Sequence, residues 1–176
     1  MDLQSRIKAA IRDIPDFPKP GILFKDITPI LADAALCRDI VDGFAKQLSS
    51  KKIDGIVGIE SRGFLFGMLL AQKLNVPFHP VRKKGKLPFK TFSYEYNLEY
   101  GSAVMEMHID SVAKGSSVLI HDDLLATGGT AAAAAELIKM QGGNVAAFSF
   151  LITLDFLNGK EKLMNYSDSV LSLVNF

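Results

Sequence analysis

Two adjacent carboxylates and a Thr-Gly-Gly-Thr turn stand close together in Val118-Leu119-Ile120-His121-Asp122-Asp123-Leu124-Leu125-Ala126-Thr127-Gly128-Gly129-Thr130. The apolar run reads as a buried strand that delivers Asp122 and Asp123 to a sheet edge, and the turn leads into a helix. At a helix start the first amides have no internal partner and the dipole end is positive. Gly128 and Gly129 let the backbone approach an anion closely, and Thr127 and Thr130 add hydroxyl donors, so the turn has the makings of a phosphate cradle. Carboxylates beside a phosphate are well placed only if they bind hydroxyls or a hydrated metal. A ribose 5-phosphate offers hydroxyls on its ring and a phosphate one carbon beyond. The segment is neither a Walker loop nor a dinucleotide fingerprint, because neither glycine pattern occurs.

A second polar turn, Glu60-Ser61-Arg62-Gly63, follows the apolar run Ile53-Asp54-Gly55-Ile56-Val57-Gly58-Ile59. Strand and helix patterns alternate from Ile53 to Leu151, which predicts a central, mostly parallel sheet flanked by helices, an α/β fold. Ligands in such sheets sit beyond the carboxyl ends of the strands, where both polar turns fall. Ahead of this core, apolar residues at helical spacing (Leu3, Ile7, Ala10, Ile11, Ile14) predict a helix that ends at Pro15. Pro15, Pro18 and Pro20 then impose a loop. Asp33 is placed to cap a helix with the stripe Leu36, Ile40, Phe44 and Leu48, read as core or as a surface between two copies. Pro77 and Pro80 push the strand pattern at 76–82 toward a sheet edge or an irregular course. Residues 83–100 are first basic (Lys83, Lys84, Lys86), then aromatic (Phe89, Phe92, Tyr94, Tyr96, Tyr100), and read as a long loop, mobile over the site. Alternation at 103–110 predicts a half-buried strand.

Composition sets the outer bounds. The chain has 176 residues, 48% of them apolar and 22% charged, which excludes a disordered chain and a collagen and fits a single domain over 1–176. Lys plus Arg numbers 20 and Asp plus Glu 19, a net charge of +1, so no global field draws the protein to nucleic acid or membrane. Cys37 is the only cysteine, so no intrachain disulfide is expected and a reducing, cytoplasmic setting fits. The start lacks the apolar core of a signal peptide. His79 and His108 are isolated, and no His/Cys pair has zinc-ligand spacing.

Asp-Asp-Leu-Leu-Ala-Thr-Gly-Gly-Thr at 122–130 resembles the phosphoribosyl-diphosphate motif of type I phosphoribosyltransferases, and its Leu-Leu-Ala variant resembles their adenine branch. Three other segments are similar to that branch in the same order. They are Phe17-Pro18-Lys19-Pro20-Gly21 with Phe24-Lys25-Asp26-Ile27-Thr28-Pro29, then Glu60-Ser61-Arg62-Gly63-Phe64-Leu65-Phe66-Gly67, then Arg82-Lys83-Lys84-Gly85-Lys86-Leu87-Pro88 with Ser93-Tyr94 and Leu98-Glu99-Tyr100-Gly101. The resemblance implies a type I phosphoribosyltransferase-like fold with a small N-terminal hood over 1–30. It implies transfer of phosphoribose to adenine, giving AMP and diphosphate, with Mg²⁺ held mainly through substrate and water near Asp122, in a homodimer.

Carried residue by residue, Ala126, Thr127, Gly128, Gly129 and Thr130 would hold the 5-phosphate, and Asp122 and Asp123 would face the ribose. Glu60, Ser61 and Arg62 would form the diphosphate loop, with a cis peptide between the first two, and Arg82, Lys83 and Lys86 would add positive charge. Leu23 and Phe24 would sandwich the adenine, Glu99 would manage its proton and Tyr100 would line the lid. Glu99 and Arg62 are the catalytic candidates. The chain departs from the family at Glu60, where Asp is more frequent, at His121, where an apolar residue is usual, and at Lys25, which stands where Arg is common and is not assigned to the base. Three rivals stand beside this reading: an oxopurine specificity on the same fold, a phosphoribosyl-diphosphate sensor that regulates transcription, and a nucleotide-binding module without turnover.

Overall fold

The computed structural model describes residues 1–97 and 101–176. Leu98, Glu99 and Tyr100 lie outside the described residues, and with them two of the residues expected at the base. The chain opens with helix α1 (Leu3–Ala10), capped by Asp2, whose carboxylate accepts from the Ser5 amide. The helix stops four residues earlier than its apolar spacing predicts. Arg12–Pro15 forms strand β1 and pairs antiparallel with β2 (Leu23–Asp26) in a separate two-stranded sheet. Ile14 therefore faces Phe24 across a hairpin instead of continuing the helix.

Helices α2 (Thr28–Leu31) and α3 (Ala34–Gln47) follow, and Asp33 caps α3 as expected, accepting from the Ala35 and Leu36 amides. Next come β3 (Gly55–Ile59), α4 (Gly63–Leu74), β4 (Phe78–Lys83), β5 (Thr91–Asn97), β6 (Ser102–His108), β7 (Ser117–Leu125), α5 (Gly129–Met140), β8 (Asn144–Thr153), α6 (Gly159–Leu163) and β9 (Val170–Asn175). The main sheet has the order β5-β6-β4-β3-β7-β8-β9. Strands β4, β3, β7, β8 and β9 run parallel, and β6 and β5 join by antiparallel pairing.

Two expectations are corrected here. β4 is an interior strand despite its prolines. The Ile56 amide donates to the Pro77 carbonyl and the Glu60 amide to that of Val81, so Pro80 turns its ring nitrogen to the other side, where pairing with β6 involves only Arg82 and Lys83. The stretch 83–100, read as loop, carries β5, which pairs with β6 from Thr91↔His108 to Asn97↔Ser102. Buried Glu106 pins this hairpin by accepting from Ser93 Oγ and from the Gly85 amide. Beyond the predicted strands, β9 pairs parallel with β8 and ends the sheet on that side.

Alternation along the central strands divides the core into two faces. Ile56 and Leu119 pack with Ile40, Phe44, Phe66 and Leu70 of α3 and α4. The Leu36, Ile40, Phe44 and Leu48 stripe is thus core. Val57, Ile59, Val118 and Ile120 pack under α5, whose Ala131, Ala132, Ala133, Ala134 and Ala135 are all buried. Small side chains let that helix lie close to the sheet, and each large apolar residue buried beneath it contributes roughly 2 kcal/mol.

His121 belongs to the first face. It is fully buried, its Nδ1 lies 2.9 Å from Ser149 Oγ, and its ring meets Phe44 edge-on at 5.1 Å. Burial drives its pKa down to about 3, so it is a neutral core residue at physiological pH. Its contribution to stability is complete above the ordinary value of 6.5 and is lost as the pH falls toward the folded value. His121→Asn, which keeps a partner for Ser149, should flatten the stability profile between pH 6.5 and 4.5 by up to about 1.4 kcal/mol per pH unit, read from denaturant melts.

Candidate active site

Both polar turns meet at the carboxyl end of the sheet. β3 pairs with β7 only as far as Gly58↔His121, whereas β8 continues beside β7 to Leu125↔Thr153. Asp122 and Asp123 therefore lie within a strand, not beyond it, but with one flank free of the ladder. Gly63 opens α4 against this flank: a Cβ there would come 2.8 Å from the His121 carbonyl and 2.9 Å from Asp122 Oδ1. The peptide between Glu60 and Ser61 is cis.

Asp123 is 3% exposed, and Arg62 Nε stands 3.0 Å from its Oδ2. Its amide donates to Asp122 Oδ1 at 2.9 Å. Burial, and then the charge of Asp123, hold the Asp122 carboxyl well above its ordinary range. Burial raises that of Asp123 too, against the pull of Arg62. Arg62 also reaches the hood, with its guanidinium carbon 4.9 Å from the centre of the Phe24 ring. One side chain thus spans the acidic pair and the aromatic residue expected at the base. Successive residues of β2 point to opposite sides of the hairpin. Leu23, 51% exposed, therefore does not stand with Phe24 as the other half of a sandwich. Lys25 also points away from Phe24. Only 8% exposed, it pairs with Asp13 at 2.8 Å and lies 4.0 Å over the Phe176 ring, engaged in holding the hairpin.

The cradle is built from backbone. Gly128 has φ +77 and precedes α5, which has no side-chain cap, so the first amides of the helix are left for another acceptor. Leu124, Leu125, Ala126, Thr127, Gly128, Gly129 and Thr130 enclose a cavity of about 80 Å³ with Asp122. Gly159 supports it from below: a Cβ there would stand 2.1 Å from the Ala126 carbonyl and 3.0 Å from the Gly128 amide. Gly159 was not singled out in the sequence, where the only available signal was a glycine opening the short helix pattern at 160–163.

Beside the cradle, a cavity of about 320 Å³ is lined by Glu60, Ser61, Arg62, Lys83, Tyr96, Asp122, Asp123 and Thr130, among others. Lys83 is the one expected cation besides Arg62 on this wall. Arg82 is turned to Glu60, 3.2 Å from its Oε2, and donates to the Lys86 carbonyl, while the Lys86 charge acts on Glu60 as well. Glu60 also accepts from the Lys83 amide at 2.9 Å. Burial pushes its pKa up, but the Lys83 amide and Arg82 outweigh that and leave it lowered. Glu60 is therefore a tie between the diphosphate loop and the end of β4. Among the described residues, no group of three or more His, Cys, Asp or Glu could hold a metal ion. The two carboxylates suit a divalent cation that keeps water and takes its other oxygens from a phosphorylated ligand.

The raised Asp122 pKa has a sign that can be read. The fold binds this proton more tightly than the unfolded chain does, so stability is full below the unfolded pKa and falls as pH rises through the folded one. Asp122→Asn keeps an acceptor for the Asp123 amide and removes the charge. It should melt about 2–4 °C above the parent at pH 7.5, the shift that ~1 kcal/mol brings at this chain length, with the gain shrinking toward pH 4.

The phosphoribosyl transferase domain family matches residues 30–173. The adenine phosphoribosyltransferase of Cytophaga hutchinsonii is 53% identical over 174 residues, 99% of this chain and 96% of that protein. That of Methanococcus vannielii is 53% identical over 176 residues, 100% of this chain and 98% of that protein. Among solved structures, the adenine phosphoribosyltransferase of Thermoanaerobacter pseudethanolicus superposes with a TM-score of 0.95 at 52% identity, covering 98% of this chain and 99% of that one. The Saccharomyces cerevisiae enzyme, solved with an imino-altritol bisphosphate and adenine, gives 0.91 at 43% identity, with 98% of each chain covered. With likeness of this extent in both sequence and fold, the chain belongs to the phosphoribosyl transferase domain family and, within it, to the adenine phosphoribosyltransferases.

Proposed function

We infer that the protein transfers the 5-phosphoribosyl group from phosphoribosyl diphosphate to adenine, forming AMP and diphosphate in purine salvage. The observation that carries this reading is the reach of Arg62, which touches Asp123 in the cavity beside the cradle and Phe24 in the hood. A flat base and a sugar phosphate bound on either side of it would meet at the anomeric carbon.

The bond from that carbon to diphosphate breaks with its electron pair leaving on the diphosphate. A base nitrogen supplies the pair for the new bond, and the base gives up a proton. The orphan amides of Gly129 and Thr130, with the hydroxyls of Thr127 and Thr130, hold the 5-phosphate. Asp122 faces the ribose hydroxyls and the positive charge developing on the ring. Arg62, with Ser61 and Lys83 beside it, meets the departing diphosphate. Phe24 gives the adenine an aromatic wall. Glu99, with Tyr100 next to it, takes the role of proton acceptor implied by the Leu98-Glu99-Tyr100-Gly101 motif. Mg²⁺, held near Asp122 through water and the substrate's own oxygens, would neutralise charge on the diphosphate.

The same reading takes residues 1–30 as a hood on a single domain. It takes the partners to be the small-molecule substrates and a second copy of the chain, not nucleic acid or membrane. Exposed Leu31, Leu65, Met68 and Leu69 support a homodimer through α2 and α4, beside a groove of about 620 Å³. No helix among the described residues is long and apolar enough to cross a membrane. A cytoplasmic location rests on the lone Cys37, whose thiol, raised in pKa by burial, donates to the Ile30 carbonyl.

Incubating the protein with Mg²⁺, phosphoribosyl diphosphate and each purine base separately should yield AMP from adenine alone. Product from an oxopurine would overturn the assignment of the base. Absence of any nucleotide, with phosphoribosyl diphosphate still bound, would favour a sensor. Glu99→Gln should lower kcat by roughly 100-fold or more, the ordinary worth of a positioned proton acceptor.

A further inference from the structure

We propose that Tyr96 is a positioning residue of the phosphate cradle, setting the direction in which the Thr130 hydroxyl donates. The inference rests on the functional reading above and adds a residue that reading does not use. Tyr96 lies near the end of β5, in the hairpin that extends the sheet. Its phenol oxygen is 3.0 Å from Thr130 Oγ1, across 34 positions of sequence. Its ring covers the start of α5: a Cβ on Gly129 would stand 3.4 Å from it. Tyr96 and Thr130 line the same cavity as Arg62, Asp122 and Asp123.

A threonine hydroxyl has one proton and rotates to suit its neighbours. If it donates to the phenol, it has nothing left to give an anion in the cradle. The phenol is the stronger donor of the two, so the favoured direction runs from Tyr96 Oη to Thr130 Oγ1. The Thr130 proton is then free to point at a phosphate oxygen, and each bond in such a chain strengthens the next. Tyr96 thus keeps the rotor in its donating orientation without touching the ligand.

Tyr96→Phe retains the ring over Gly129 and removes only the hydroxyl. Tyr94→Phe, two residues earlier on the same face of β5, is the matched control. Titration with ribose 5-phosphate should show binding to Tyr96→Phe weakened about two- to fourfold, the loss expected when a hydrogen bond to a charged group keeps its donor but loses the cooperative support of its neighbour. The apparent KM for phosphoribosyl diphosphate should rise by a similar factor, while the KM for adenine and the Tm stay with the parent. In a Thr130→Ala background, Tyr96→Phe should add nothing further. Parent-like binding of ribose 5-phosphate by Tyr96→Phe, or full additivity with Thr130→Ala, would overturn the proposal while leaving the activity standing. A lowered Tm with a raised adenine KM would reduce Tyr96 to general packing and overturn it as well. Failure of the parent protein itself to bind ribose 5-phosphate would remove the functional reading underneath.

Discussion

The ion pair between Arg62 and Asp123 compensates a carboxylate that the fold has taken almost wholly out of water. Two adjacent acids at the end of a central strand lose solvation together, which raises the pKa of both, and the charge of Asp123 raises that of Asp122 further. His121, next along the strand, gives no help because burial keeps it neutral. The compensating cation must come from outside β7, and the turn between β3 and α4 supplies it. That turn is fixed in its own right. Glu60 is tied to Arg82 and the Lys83 amide, and Gly63 lets α4 close on the strand. A displacement of β4 or α4 would leave an unpaired buried charge, which is among the larger penalties a fold can meet.

The phosphate side is organised differently, by backbone and close approach rather than by charge. No side chain caps α5, and no lysine stands in the cradle. The first amides of the helix have a direction the helix itself fixes, so their orientation costs nothing at the moment a ligand binds. That geometry depends on the C-terminal quarter of the chain. Gly159 packs under Ala126 and Gly128, and β9 holds β8 from its outer edge. The cradle is thus a contact between two regions about 30 positions apart, although most residues that line its cavity are contiguous.

That distinction decides what was legible. The acidic pair, the Thr-Gly-Gly-Thr turn and the Glu60-Ser61-Arg62 turn are local patterns, and the alternation of strand and helix gave the parallel core. Gly159, Tyr96 and the tie from Glu60 to Arg82 act through contacts that no local window contains. The contacts that occupy Lys25, with Asp13 and Phe176, are equally non-local. Other misses had a signal. Thr91-Phe92-Ser93-Tyr94-Glu95-Tyr96-Asn97 alternates polar and aromatic residues with period two, the mark of a half-buried strand. Its basic preface drew the whole stretch into a loop. Val170-Leu171-Ser172-Leu173-Val174 is a short apolar run of the kind that forms a sheet strand, and it does. The first helix was overextended because apolar residues of a following strand happened to continue its spacing, as Ile14 shows.

The hood shows how a two-stranded sheet, marginal alone, can be given a fixed position. Its β2 strand is engaged from both sides. Phe24 meets Phe17 edge-on at 5.1 Å and lies against the Arg62 guanidinium. On the opposite side Lys25 is buried between Asp13 and the Phe176 ring, and Lys8 of α1 lies 5.2 Å from the same ring. The alternation of a strand turns a single dipeptide into two anchors, one to the carboxyl end of the sheet and one to the residue that follows its last strand. A cation serves each anchor, but the two are not interchangeable. Arg62 must stack on an aromatic face and meet a carboxylate at once, which its planar guanidinium allows. Lys25 must place a compact charge in a nearly closed pocket with one carboxylate, for which an ammonium on a flexible stem is sufficient. The departure from the family's usual arginine at 25 therefore leaves the Phe24 side of the hood untouched.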